Sequence, residues 1–93
     1  MILNDETINR ISELAGKLTP VKYIAALLDL DEDMLRLELA SKGSPVRAAY
    51  MKAKATTSLA LRTQEIELAR IGSPLAVQLT ASYLEEMTSD EDF

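Results

Sequence analysis

The sequence predicts an all-α chain, and three observations carry that prediction. The three glycines and three prolines all sit at helix punctuation marks. One mark, Gly-Ser-Pro followed by an aliphatic residue, occurs twice, as Gly43-Ser44-Pro45-Val46 and Gly72-Ser73-Pro74-Leu75. Between the marks, apolar residues recur at three- and four-residue spacing. Glycine past a helix end adopts the left-handed cap conformation cheaply, serine caps the next helix, and proline suits a first turn that needs no amide donor. The 93 residues make one small domain, and at that size a chain buries only roughly two thirds of its unfolded surface. Aromatics are limited to Tyr23, Tyr50, Tyr83 and Phe93, so the core is built from aliphatic residues, Met and Ala, which suits packed helices.

The first helix is expected after Asn4 and to about Lys17, with Ile8, Ile11, Ala15 and Leu18 on one face. A second starts at Thr19-Pro20, carries Val21, Ile24, Ala25 and Leu28, and stops near Asp29. Asp31 caps a third, in which Glu32 and Asp33 sit at the positive end of the macrodipole. A fourth lies between the two Gly-Ser-Pro marks. It spans about 28 residues, or roughly 42 Å, with Thr56-Thr57-Ser58 as a point where it could break. The chain then reverses into a fifth helix with the stripe Leu75, Leu79, Tyr83, Leu84 and Met87. The run Thr88-Ser89-Asp90-Glu91-Asp92 reads as a disordered acidic tail.

Two short helices across a tight turn are what a helix-turn-helix requires: a small residue at the crossing, a tight turn, and apolar positions that lock the second helix on the first. Ile24, Ala25, Leu28, Leu30 and Leu35 are the candidate core of that unit. Its recognition helix, residues 31–41, carries Glu32, Asp33 and Glu38 against a lone Arg36, a poor set for reading a major groove. The expected organisation is a three-helix, helix-turn-helix-like unit over 1–43, an antiparallel helical hairpin for oligomerisation over 44–87, and the tail over 88–93. The candidate oligomerisation seam is Tyr50, Leu61, Leu68, Leu75, Leu79 and Tyr83.

Charge runs acid, base, acid. Residues 1–41 hold four basic and eight acidic side chains, residues 42–64 five basic and no acidic ones, and the remainder Arg70 against seven carboxylates. A basic segment can contact a phosphate backbone whatever the net charge, provided the acidic parts fold away from it. Lys42, Arg47, Lys52, Lys54 and Arg62 are therefore the candidate DNA contacts. Solvated helix surface is the competing explanation of the same charges.

Chemistry finds little support. Without His or Cys the commonest general base, thiolate nucleophiles and most zinc sites are excluded. Asp29, Asp31 and Asp33 alternate like the start of a calcium loop, but Met34 and Ala40 stand where its glycine and bidentate glutamate belong. No catalytic residue, metal or cofactor is expected. No apolar run approaches the roughly 20 residues of a membrane span, and no signal peptide is legible, so a cytoplasmic protein is expected.

Several strings carry a family resemblance: Leu18-Thr19-Pro20 with Ile24-Ala25-Ala26-Leu27-Leu28, Gly43-Ser44-Pro45-Val46-Arg47-Ala48-Ala49-Tyr50-Met51-Lys52-Ala53-Lys54-Ala55, Leu61-Arg62, and Ile66-Glu67-Leu68-Ala69-Arg70-Ile71-Gly72-Ser73-Pro74-Leu75-Ala76. Over roughly residues 18–87 the chain resembles phage small terminase subunits and related prophage proteins. The resemblance implies a DNA-packaging protein in a bacterial host cell. Residues 19–42 would be its DNA-binding module, residues 44–87 a hairpin that builds a ring, and Glu85 to Phe93 the contact with a large terminase subunit or another phage protein. Two further readings stay open: a helical structural or protein-interaction module with a degenerate helix-turn-helix and no DNA binding, and a dimeric transcription regulator, for which a basic recognition helix would speak.

Overall fold

The computed structural model describes residues 3–72 and 75–93, and, of 75–80, the backbone alone. It contains five helices: α1 (Asp5–Gly16), α2 (Val21–Leu27), α3 (Glu32–Ala40), α4 (Pro45–Ile71) and α5 (Leu75–Ser89), with no strand among the described residues. Capping by short polar side chains sets three of the starts. Asn4 accepts from the Thr7 amide at 2.8 Å, Asp31 from the Met34 amide at 2.9 Å, and Ser44 from the amides of Val46 and Arg47. Pro20 takes the cap position of α2, and its ring has no polar atom to accept a capping hydrogen bond.

The glycine punctuation works as expected at one place only. Gly72, at φ 75°, closes α4 in the left-handed conformation. The ends of α1 and α2 use Leu18 (φ 59°) and Asp29 (φ 55°) instead. Around each, paired bonds close the helix end: Leu18 to Ala15 and Thr19 to Leu14 in the first case, Asp29 to Ala26 and Leu30 to Ala25 in the second. Both have the hydrogen-bond spacing of a Schellman motif.

α4 runs unbroken through Thr56-Thr57-Ser58. Thr56, Ser58 and Thr63 donate to carbonyls four residues back, while Thr57 donates at 2.6 Å to the Gly16 carbonyl and ties α4 to the end of α1. One core joins all five helices: Ile11, Ala15, Leu18, Val21, Ile24, Ala25, Leu35, Leu39, Val46, Tyr50 and Met87. The boundary expected at residue 43 therefore divides a single core, because the first turns of α4 are the wall on which α1 to α3 close. Of the helix-turn-helix positions, Ile24, Ala25 and Leu35 are buried, and Leu28 and Leu30 lie half-buried against them.

The outer part of the hairpin is different in kind. Among the described residues between Tyr50 and Met87, none is buried. The molecule is accordingly elongated, 47 × 20 × 18 Å, with a body and a projecting arm.

Candidate functional site

Two surfaces concentrate charged groups: the seat that receives the acidic tail, and the outward face of α4. The tail expected to be disordered is docked. Asp90 receives the Arg36 guanidinium on both carboxylate oxygens at 3.2 Å and on its carbonyl at 2.6 Å. The same carboxylate accepts from the Lys22 amide at 3.0 Å, capping α2 where Pro20 cannot. Glu91 accepts from the Tyr50 hydroxyl at 2.8 Å and pairs with Lys54, which also reaches the Thr88 hydroxyl. Phe93 meets the Tyr50 ring edge-on, centroids 6.0 Å apart. The acidic run stays ordered because two of its carboxylates find cations and donors on the body.

That seat shifts the titration of two of its groups upward and so holds each in its protonated form. Burial, reinforced by the bond to Glu91, pushes the Tyr50 phenol far above its ordinary range. Partial burial works against the Arg36 charge, but the Glu32 and Asp90 carboxylates outweigh it, and the guanidinium titrates above its usual value.

The five candidate phosphate contacts divide. Lys54 is committed to Glu91 and Thr88, and Arg47 donates to the Leu39 carbonyl, where it neutralises the negative end of α3. Lys42, Lys52 and Arg62 are exposed. Along α4 the outward face reads Lys52, Ala55, Leu59, Arg62, Ile66, Arg70, all exposed, with Leu59 at 66% and Ile66 at 57%. No carboxylate interrupts that row, although Arg70 lies 3.6 Å from Glu67 beside it. A shallow groove of about 200 Å³ lined by Ala55, Ser58, Leu59 and Arg62 opens on it. Arg70 is the member missed by sequence reasoning, and counting in steps of three and four from Lys52 finds it. Asp90 and Glu91 were missed as ligands of the body because nothing in a charge run tells where it docks.

The expected oligomerisation seam is corrected at its first member. Tyr50 is wholly buried inside its own chain, because the helical stripe that reads as a seam is here the core face of α4. Leu61 and Leu68 continue that face and are half-buried, while Tyr83 is 59% exposed on α5. Leu75 and Leu79 lie outside the described side chains. On α3 the exposed residues include Glu32, Asp33, Met34 and Leu37, and Arg36 is turned to the tail, so no basic group of this helix faces outward.

Among the described residues no group of three or more acidic side chains is placed to hold a metal ion, and no helix is long and apolar enough to cross a membrane. No family model matches the chain, and the comparisons with curated proteins and with solved structures find no match.

Proposed function

We propose that this protein is a non-enzymatic DNA-packaging adaptor of the small-terminase kind, which contacts DNA phosphates along α4 and assembles through its projecting arm. The observation that carries the reading is the row of basic groups on the outward face of α4, Lys52, Arg62 and Arg70, in which no carboxylate stands, with Lys42 exposed just before the helix. From Lys52 to Arg70 the row covers about 27 Å of helix, comparable with about eight phosphate steps of one strand. It reads no bases, since the acidic α3 offers no donors of the required kind. The resemblance over residues 18–87 supplies the setting, a bridge between DNA and a large terminase subunit.

Anisotropy of a labelled mixed-sequence duplex, measured across a salt series, tests it. Replacing Lys52, Arg62 and Arg70 together by Ala is expected to reduce the slope of log K against log salt by about 0.9 for each phosphate no longer neutralised, with little dependence on sequence. Unchanged affinity and slope would rule the row out as the DNA-binding surface.

A second reading is favoured by Leu59 and Ile66, which stand exposed in the middle of the same row. It makes the face a protein-docking surface of a helical interaction module, with the basic groups as its rim. Absence of DNA binding at low salt by a folded, self-associating chain would select it.

A further inference from the structure

The tail seat makes a specific interaction surface, and its ligand is part of this chain. Among the described side chains, the ties that hold α5 to the body lie toward its far end: Leu84 packed against the core, Met87 fully buried, then Asp90 on Arg36 and the Lys22 amide, Glu91 on Lys54 and Tyr50, and Phe93 on the Tyr50 ring. These contacts join positions 37 to 68 residues apart in the chain. Along the chain, the arm that separates the first turns of α4 from this end buries no described residue. At the reversal, Gly72 holds the left-handed φ of 75°, and a Cβ there would meet nothing within 4 Å, so its conformation is imposed by the turn and not by crowding.

Among the described residues, opening the hairpin at Gly72 therefore gives up the partial burial of residues such as Leu61, Leu68 and Leu84, while the anchored end keeps its complement of groups. A second copy offers an identical seat. Exchange also answers a fault of the closed form: Ile71 (75%) and Tyr83 (59%) stand exposed on the arm away from the basic row, where two opened arms running side by side can cover them. We infer that the seat formed by Arg36, Lys54, Tyr50 and the start of α2 accepts the Met87–Phe93 segment of a second copy, so that two chains exchange α5 through an opened α4–α5 arm. The inference does not depend on DNA binding. It concerns how the arm associates, and it differs from arms that pair while each tail stays at home.

Complementation tests it in the full chain. One variant breaks the seat, Arg36→Gln with Lys54→Met, and the other breaks the segment, Asp90→Asn with Glu91→Gln. Light scattering after size exclusion is expected to show the unaltered chain forming dimers and, because exchange leaves each variant alone with the same broken seats open or closed, the equimolar mixture forming a heterodimer with one intact seat at a dimer fraction at least about tenfold above that of either variant alone. A mixture with no more dimer than the two variants show separately would overturn exchange and leave association of closed arms. A mixture that stays monomeric would also overturn it. Gly72→Ala provides a measurement independent of the seat: Ala tolerates the left-handed φ poorly, so the dimer fraction is expected to rise several-fold with helical circular dichroism retained. A Gly72→Ala chain that remains monomeric, or whose helices melt without dimerising, counts against exchange.

Discussion

Leu18 and Asp29 put the same backbone conformation to opposite tests. Each ends a helix at positive φ, 59° and 55°, where a side chain costs roughly 1–2 kcal/mol relative to glycine, less for Asp, whose short polar side chain bonds locally. Asp29 is exposed and its side chain makes no hydrogen bond among the described residues, so Asp29→Gly removes strain and little else. Stability is expected to rise by about 0.5 kcal/mol, less than the full relief because glycine also frees the unfolded chain. Leu18 is only 7% exposed and belongs to the core. There the loss of a buried leucine, about 2–5 kcal/mol, exceeds the strain relieved, so Leu18→Gly is expected to destabilise despite its easier backbone. Urea denaturation of the two variants reads both signs. A stabilised Leu18→Gly would mean that backbone strain, not burial, dominates at that helix end.

At the scale of elements, the joint between the acidic segment and the three-helix body decides which charges matter. Arg36 and Asp90 retain 17% side-chain exposure each and share several hydrogen bonds, whereas the Lys17–Glu13 pair on α1 stands 69% and 66% exposed at 3.6 Å. Double-mutant cycles to Ala are expected to give a coupling of about 1–3 kcal/mol for the first and below about 0.5 kcal/mol for the second. Equal couplings would mean that the segment contributes no more than surface charge. The same joint marks where the sequence stops being legible. Helix starts at Asn4, Asp31 and Ser44 are local events, readable because cap and amide lie within three residues. The partnership of Glu91 with Tyr50 and Lys54 joins residues 41 and 37 apart, and no local pattern announces it. Tyr50 shows the same limit from the other side. Its spacing with Leu61 and Leu68 identifies one face of α4 correctly, but whether that face meets α1 or another chain is settled only by folding, which buries Tyr50 and leaves Leu61 and Leu68 half-covered. The core of the three-helix unit was readable at Ile24, Ala25 and Leu35 because short helices in a small domain must bury their one apolar stripe.

The whole molecule is a folded body with a long lever, and the two ends of α4 live in different environments. Its first turns carry Val46 at 2% and Tyr50 at 0% exposure in the common core. Its last three turns, residues 62–71, have Leu68 as their only half-buried member and the rest exposed. A helix of a dozen residues without buried side chains is marginal in water, since nucleation is costly and propensity alone adds little. Thr63 adds a competing bond to the Leu59 carbonyl in the same stretch. Cooperativity inherited from the body therefore has to sustain the arm, and it fades with distance. Amide hydrogen exchange followed by NMR on the monomer at low protein concentration is expected to show a gradient along this single helix: amides near Tyr50 exchanging only with global unfolding, and those near Ile66 at least about a hundredfold faster, through local opening. An arm that opens this readily is free to find a partner surface, whether a second chain or a nucleic acid. Uniform protection from residue 46 to residue 71 would mean that the hairpin is as firmly held as the body, and would remove the basis for treating the arm as the assembling element of the protein.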